Sequence, residues 1–269
     1  KGKLKLTAQL APIEDIAGFF GTTESNIKYI IENPNLDSPY KNLDELKLII
    51  DEYSYIVNSE DCQDLPDKVF QPLYVEMTAE QKRVYKELEK NLISEYAGKE
   101  LSVKNKLSLV GRLQQVTSGF FPYQDIEVSE NGDEIIVSKL SKVQKIGKVT
   151  AKAKAIVSDL DEARTADPII IWCRFTSDVE EMTSYLEKVY PGRRVEKYYG
   201  PTHSMKRDRI KLEFKEGKID FLVANPSVAG VGLNLQRAYI SYYYSNNPSM
   251  YLRIQSIKRT HRGGQERIC

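Results

Sequence analysis

The spacing of apolar residues divides the chain into parts with different patterns. From about Lys148 onward, short β-prone runs alternate with helical stretches, and the runs predict strands at 168–173, 194–198, 219–224 and 238–244. The stretches around them predict helices at 148–164, 177–189, 204–215, 230–236 and 249–262. Such alternation predicts an α/β fold in which helices cover both faces of an open parallel sheet.

The first part of the chain is predicted to be mostly helical. Residues 42–53 repeat their apolar positions with helical spacing. Residues 78–81, Thr-Ala-Glu-Gln, have the spacing of a capping box for a helix that continues to Tyr96. A further helix is predicted at 107–118, and the alternating residues 69–77 predict a strand.

A short β-hairpin is predicted between these two parts. Asn131-Gly132 lies between β-prone runs at 126–128 and 135–137, which is a strong hairpin signal. The pattern therefore divides the chain into a helical segment at 1–122, a hairpin and basic linker at 123–147, and an α/β unit at 148–269.

The overall charge does not indicate a nucleic-acid partner, because 39 basic and 38 acidic side chains leave a net charge of +1. A local exception is a run of lysines with no acidic residue before Asp159: Lys139, Lys142, Lys145, Lys148, Lys152 and Lys154. Two interpretations are open. The run is either a solvated helix face or a contact with a DNA backbone, which attracts lysine regardless of base sequence.

The cysteine and histidine content argues against disulfides and metal sites. Cys62, Cys173 and Cys269 are odd in number and widely spaced, which favours a reducing, cytoplasmic setting. With only His203 and His261 and no paired cysteines, no metal site is predicted. No apolar run approaches the length of a membrane span, so we expect no membrane partner.

The strongest candidate chemistry lies near the end of the chain. Gln255, Arg259, Arg262 and Gln265 are spaced to form one helical face with a polar cap. Because Arg259 and Arg262 are three residues apart, both guanidiniums project to the same side of a helix. Two guanidiniums that converge on a phosphoryl group stabilise charge in phosphoryl transfer. The alternative is a solvated basic helix.

A small-residue turn precedes this helix. Gly230 and Gly232 leave room for the backbone to approach a ligand or a strand. A dinucleotide-binding fingerprint would need a third glycine where Leu235 stands, so that interpretation is poor. In a parallel α/β sheet ligands bind at the carboxyl ends of the strands, and four candidate residues fall just there: Thr176, Gly200, Asn225 and Ser227.

Together these segments resemble motifs V and VI of superfamily 2 helicases, specifically those of Snf2-like DNA translocases. The family has a Gly-x-Gly-Leu-Asn-Leu turn followed by a Gln-x-x-x-Arg-x-His-Arg-x-Gly-Gln helix, which residues 230–235 and 255–265 match position for position. Residues 168–176 are similar to motif IV, and residues 199–202 are similar to the next strand end of the family. The sequence at 224–226 and 243–246 is most similar to the phage and prophage branch of this family.

The resemblance implies the second RecA-like lobe of an ATP-dependent translocase. It implies arginine fingers at Arg259 and Arg262 and ATP-binding roles for Gly230, Gly232 and Gln255. It implies DNA-backbone contacts by Thr176, Asn225 and Ser227, with Arg174 and Lys206 as further phosphate contacts or plain surface charges. ATP and Mg²⁺ would serve the complete protein, and the partners would be double-stranded DNA and an N-terminal RecA-like lobe, whose end lies within residues 1–122.

Two features required for ATP hydrolysis are not found in these residues. Gly147-Lys148 is followed by Val149, so it is not the phosphate-binding loop Gly-x-x-x-x-Gly-Lys-Ser/Thr. Residues 161–164, Asp-Glu-Ala-Arg, imitate the acidic box but finish a predicted helix. We therefore expect the chain to bind no nucleotide and to be inactive alone. A DNA-binding or partner-docking module without chemistry, and an RNA helicase of the same superfamily, remain alternatives.

The sequence departs from the commoner Snf2-like pattern at two places. Residues 225–227, Asn-Pro-Ser, replace a Ser-Thr-Arg run, which leaves the DNA-contacting side chains uncertain. Gly263 takes a position that is usually apolar, but the two arginines are unaffected.

Overall fold

The computed structural model describes residues 65–103, 106–123, 126–128, 134–136, 142–230 and 232–269. They belong to one compact unit, Gln63–Cys269, while Lys1–Cys62 form a second unit. The helical pattern at 42–53 lies outside the described residues, as does Lys139. The domain boundaries near 122 and 147 stay predictions.

Among the described residues, two helices and three small antiparallel pairs of strands come before the α/β part of the chain. β1 pairs with β2, β3 with β6, and β4 with β5. In chain order these elements are α1 (Ala79–Asn91), β1 (Ile93–Tyr96), β2 (Lys99–Ser102), α2 (Lys106–Thr117), β3 (Phe120–Tyr123), β4 (Ile126–Val128), β5 (Glu134–Ile136) and β6 (Lys142–Lys145). The hairpin predicted around Asn131-Gly132 is confirmed as the β4–β5 pair.

The main sheet has four parallel strands in the order β10-β7-β9-β8. Its strands and helices are α3 (Ala151–Ala163), β7 (Ile169–Trp172), α4 (Thr176–Val189), β8 (Val195–Tyr198), α5 (Ser204–Lys215), β9 (Phe221–Ala224), α6 (Pro226–Ala229), β10 (Ile240–Tyr243) and α7 (Met250–Thr260). Most of these bounds lie within a few residues of the predicted ones.

The sheet is buried on both faces. Ile169 and Ile171 of β7 pack in one apolar cluster with α3 and α4, whereas Ile170 and Trp172 pack in a second cluster with α5. Successive side chains of a strand point to opposite faces, so a strand covered on both sides is apolar throughout. The predicted open parallel sheet with helices on both faces is confirmed.

The capping box at the start of α1 is confirmed, but the predicted end of this helix is wrong. The Thr78 hydroxyl accepts from Gln81 N at 3.2 Å, and Gln81 Oε1 accepts from Thr78 N at 3.0 Å. The helix ends at Asn91 rather than Tyr96, because Leu92 adopts a left-handed conformation with φ 59°. The following residues then pair as β1 and β2 around Ala97-Gly98, both with positive φ, as a two-residue hairpin turn requires.

The strand predicted at 69–77 is also wrong. Residues 65–78 form neither helix nor strand, and no described strand pairs with them. Phe70 and Tyr74 are exposed. Val69 N donates to the carbonyl of Cys269 at 2.6 Å, which holds one end of this extended segment. Alternation alone does not make a strand when no neighbouring backbone completes the ladder.

Two helix predictions near the candidate site need correction. Gly230 and residues 232–236 are not helical. The helix is the preceding α6, which Asn225 caps by accepting from Ser227 N at 2.9 Å. Pro226 at the first helical position suits this start. At the other end, α7 stops at Thr260, so Arg262 lies outside the helix that was predicted to carry it.

The run of lysines does not form one face. Lys142 and Lys145 lie in β6, Lys148 lies in a loop, and Lys152 and Lys154 lie in α3. Lys145 Nζ pairs with Glu181 at 2.6 Å, and Lys152 Nζ donates to the Thr117 hydroxyl at 3.3 Å. Neither a solvated helix face nor a continuous DNA-binding stripe describes them.

Candidate functional site

Hydrogen bonds to the backbone of Arg174 connect the ends of three neighbouring strands. Arg174 follows β7, and its N–H donates to the hydroxyl of Ser245, which follows β10, at 2.7 Å. Its carbonyl accepts from Nδ2 of Asn225, which follows β9, at 2.7 Å. Arg174 and Asn225, both predicted as DNA contacts, therefore lie together at the carboxyl edge of the sheet.

The other candidate residues of this edge differ in their exposure and in their partners. Thr176 is exposed at the start of α4, and Ser227 is exposed in α6. Gly200 is exposed after β8. Lys206 is partly compensated, because its Nζ pairs with Glu196 at 3.0 Å. The geometry thus favours Thr176, Ser227 and Arg174 over Lys206 for contact with a phosphate.

The glycine turn begins where α6 ends. Gly230 is buried, and a Cβ at this position would lie 2.4 Å from the carbonyl oxygen of Pro226, so no larger residue fits. Gly232 has φ +77°, a conformation that favours glycine, and is exposed.

Arg259 holds this turn against α7. Its Nε donates to the carbonyl of Gly230 at 2.9 Å, its Nη1 to the carbonyl of Leu233 at 3.4 Å, and its Nη2 to Oε1 of Gln255 at 2.9 Å. The Arg259 carbonyl in turn accepts from Leu235 N at 3.0 Å. All these partners are neutral, so the guanidinium is positioned without a compensating carboxylate.

Arg262 lies just beyond the end of α7, where it is exposed. Its side chain makes no hydrogen bond or ion pair with another described residue, while its backbone carbonyl accepts from Gln265 N at 2.9 Å. Burial lowers the pKa of Arg259, and the positive charge of Arg262 lowers that pKa further, so the two guanidiniums lie within electrostatic reach of each other. By contrast, Arg193 and Arg267 pair with the carboxylates of Asp220 and Asp167.

The two glutamines of the predicted polar face have different surroundings. Gln255 is half-buried beside Arg259, as predicted for one helical face. Gln265 is 6% exposed, and its Nε2 donates to the carbonyls of Gln236 at 2.8 Å and Ala238 at 3.2 Å. The residue predicted as the polar cap therefore bonds inward and holds the segment after the glycine turn.

Sequence reasoning missed a buried polar cluster behind the strand ends. Asp178 in α4 is 0% exposed, and its Oδ2 accepts from the Ser245 hydroxyl at 2.5 Å. Burial raises the pKa of Asp178 to about 7 and lowers the pKa of nearby Lys152. An acid in the first turn of a helix is the ordinary complement of its dipole, so the sequence carried no signal for this role.

The described residues offer no metal-binding site. No group of three His, Cys, Asp or Glu side chains within them is placed to hold an ion. Burial raises the pKa of the Cys173 thiol well above its usual value, so it is not a reactive thiolate. Residues 161–164 end α3 and are exposed, as expected for a chance match to the acidic box. In the same part of the chain, no helix is long and apolar enough to cross a membrane.

Comparison with known proteins finds similarity to helicases. Residues 150–264 match the family model of the helicase conserved C-terminal domain. The chain is 22% identical over 214 residues to a putative ATP-dependent helicase/translocase YwqA of Bacillus subtilis (strain 168), covering 78% of the chain and 22% of that relative. It is 34% identical over 93 residues to the ATP-dependent DNA helicase RecG of Thermotoga maritima, covering 33% of the chain and 12% of that relative.

Two solved structures share the fold of this chain. The C-terminal part of the Fun30 ATPase domain is similar with a TM-score of 0.51 and 18% identity, over 76% of this chain and 83% of that one. The Sulfolobus solfataricus SWI2/SNF2 ATPase core domain is similar with a TM-score of 0.50 and 21% identity, over 93% of this chain and 52% of that one. These likenesses show the fold of the chain, and the match to a helicase family model is confined to residues 150–264. The chain spans about a fifth of the length of the first curated relative.

Proposed function

We propose that this chain is the C-terminal half of an ATP-dependent Snf2-like DNA translocase, in which it supplies arginine fingers and contacts with the DNA backbone. The observation that carries the proposal is the pair Arg259 and Arg262. Arg259 bonds the glycine turn, Arg262 is close enough to lower the pKa of Arg259, and no described carboxylate pairs with either. A phosphate would supply the negative charge that this site lacks.

The residues near this pair fit the phosphate groups of ATP. Arg262, which is exposed, would reach the γ-phosphate, where a guanidinium stabilises the charge that develops during transfer. Gln255 would orient Arg259 through the bond that it already makes. Gly230 and Gly232 would let the backbone of the turn approach the nucleotide. Each of these groups binds or orients, and none removes a proton.

The described residues do not fit a Mg²⁺ site, because no acidic cluster lies among them. We therefore assign the metal ligands and the phosphate-binding loop to the N-terminal lobe, and we derive no step through the metal. This division explains why the chain alone is expected to be inactive. Its cytoplasmic location, predicted from the cysteines, stays a prediction.

The DNA side of the proposal rests on the strand-end edge. Thr176, Ser227 and Arg174 would contact phosphates of one strand, and backbone contacts position a protein without reading bases. Asn225 connects this edge to the nucleotide side, because it bonds the Arg174 carbonyl and caps the α6 segment that leads to Gly230. Nucleotide-driven movement of the turn would therefore be transmitted to the DNA contacts.

The test joins this chain to a first lobe that carries the phosphate-binding loop and measures DNA-stimulated ATP hydrolysis. We expect activity in the joined protein and none in the chain alone. Arg262→Ala should lower kcat by about a thousandfold, the lower range for loss of an arginine finger. Because the Arg262 side chain is exposed and bonds no described residue, this loss would not come from unfolding.

Arg237→Gln is the matched control. Arg237 is exposed ahead of β10, at the amino edge of the sheet, and its removal should leave kcat unchanged. Joined Arg262→Ala protein that hydrolyses ATP at the wild-type rate would contradict the finger assignment. Stimulation by RNA rather than duplex DNA would favour an RNA helicase of the same superfamily.

A second candidate function is a DNA-binding or partner-docking module without chemistry. It is favoured by the sequence of residues 147–149, Gly-Lys-Val, which does not complete a phosphate-binding loop. A joined protein that binds DNA but shows no ATP hydrolysis, with or without the arginines, would support this alternative.

A further inference from the structure

Two arginines at the strand-end edge are bridged by neutral amide groups. Gln114, near the end of α2, accepts from Nη1 of Arg174 through Oε1, and its Nε2 donates to the carbonyl of Asn246 at 2.7 Å. The side-chain Oδ1 of Asn246 accepts from Nη1 of Arg253 at 2.9 Å. The four residues form one hydrogen-bonded chain, with a guanidinium at each end.

The bridge orients both guanidiniums without neutralising them. Neither arginine forms an ion pair with a carboxylate among the described residues, and burial lowers the pKa of both. Arg253 also lies over the Tyr243 ring, 3.1 Å from its centroid, which restricts its position. The buried carboxyl of Asp178 raises the pKa of Arg174 through its charge, but it forms no ion pair with the Arg174 guanidinium.

The bridge is accessible at the edge where the strands end. Asn246 is exposed, and Gln114, Arg174 and Arg253 are half-buried. Gln114, Asn246 and Arg253 line one end of a groove of about 1220 Å³. A partly buried positive pair with neutral partners on an open edge favours an anion of extended shape.

We propose that Arg174 and Arg253 form a phosphate-binding pair for the backbone of duplex DNA, and that Gln114 is the positioning residue that keeps both oriented and uncompensated. This inference rests on the proposed function and extends it. It adds Arg253 as a DNA contact, and it brings α2 into the DNA site from outside the helicase segment at 150–264.

The experiment measures binding of the chain to a short fluorescent DNA duplex over a series of salt concentrations, without nucleotide. Arg174→Gln and Arg253→Gln should each weaken binding about tenfold, the loss expected for one charge-assisted contact. Each should also reduce the slope of log affinity against log salt by about one.

Gln114→Glu is the decisive variant, because it keeps the size of the side chain and places a carboxylate against Arg174. It should weaken DNA binding as much as Arg174→Gln does. The melting temperature should change little, because the ion pair gained with Arg174 offsets the lost bond to the Asn246 carbonyl. If Gln114 acted merely as packing, this variant would bind DNA like the wild type, and the inference would be overturned.

Arg237→Gln serves again as the matched control, because it removes one charge from the opposite edge of the sheet. Its salt slope should equal that of the wild type; an equal drop in slope would show general electrostatic attraction and overturn the specific site. If the wild type binds DNA and the Arg174→Gln and Arg253→Gln variants bind it with the same affinity and salt slope, this inference alone would be overturned. Absence of salt-dependent binding by the wild type would overturn the DNA side of the proposed function as well.

Discussion

Replacement of Arg259 by alanine should destabilise the chain by itself, without any nucleotide. The side chain donates to Gly230 and Gln255 at 2.9 Å each and more weakly to Leu233 at 3.4 Å. A hydrogen bond from a charged group contributes about 1.5–3 kcal/mol, and truncation leaves the acceptors without this donor. Because Arg259 is half-buried and water replaces part of the interaction, we expect a loss of about 2 kcal/mol in the free energy of unfolding.

Urea unfolding followed by circular dichroism measures this loss. In thermal unfolding, about 2 kcal/mol corresponds to a decrease of about 4–8 °C in Tm for a domain of 150–250 residues. Amide hydrogen exchange should also become faster at residues 232–236, where the turn is released, before it changes in the central strands. Arg262→Ala is the control, and its stability should stay within about 0.5 kcal/mol of the wild type.

The reasoning would be refuted by an unchanged urea midpoint for Arg259→Ala, or by an equal loss for Arg262→Ala. The expected difference also affects the kinetic test. Loss of ATP hydrolysis in Arg259→Ala would have two causes, a missing contact with phosphate and a released glycine turn. Arg262→Ala therefore isolates the contact with phosphate.

Three further predictions concern stability. Burial raises the pKa of Asp178 to about 7, so between about pH 4 and 7 the folded state retains a proton that the unfolded chain has lost. The free energy of unfolding should therefore fall by at most about 4 kcal/mol as the pH rises from about 4 to 7, and stay level above pH 7. Asp178→Asn should flatten this profile in urea titrations. Gly119→Ala should cost about 2 kcal/mol or more, because φ is +89° and the new Cβ would lie 2.5 Å from Cγ2 of Thr150. Gly98→Ala, with φ +71° and open space, should cost about 1 kcal/mol and serves as its control in thermal unfolding. Thr78→Ala removes the capping box of α1 and should lower the free energy of unfolding by about 1 kcal/mol.

The elements of the main sheet were predictable because each depends on a local repeat. The helix predicted at 204–215 has the bounds of α5, and the four predicted strands each contain an observed one. The errors occur where local pattern and long-range pairing disagree. Residues 69–77 alternate like a strand but pair with none of the described strands. Ile93–Tyr96 was predicted as helix but forms a strand, because a tight turn places β2 beside it.

The fold class and the candidate residues could be predicted from the sequence, since the repeat of apolar residues and the motif between Gln255 and Gln265 depend on neighbours along the chain. The surroundings of each candidate side chain became visible only in the folded structure. It turned Gln265 inward, engaged Arg259 with the glycine turn, and brought Gln114 to Arg174 from a distant helix. Such hydrogen bonds join residues far apart in sequence, so their geometry is set by how helices and strands pack and not by local periodicity.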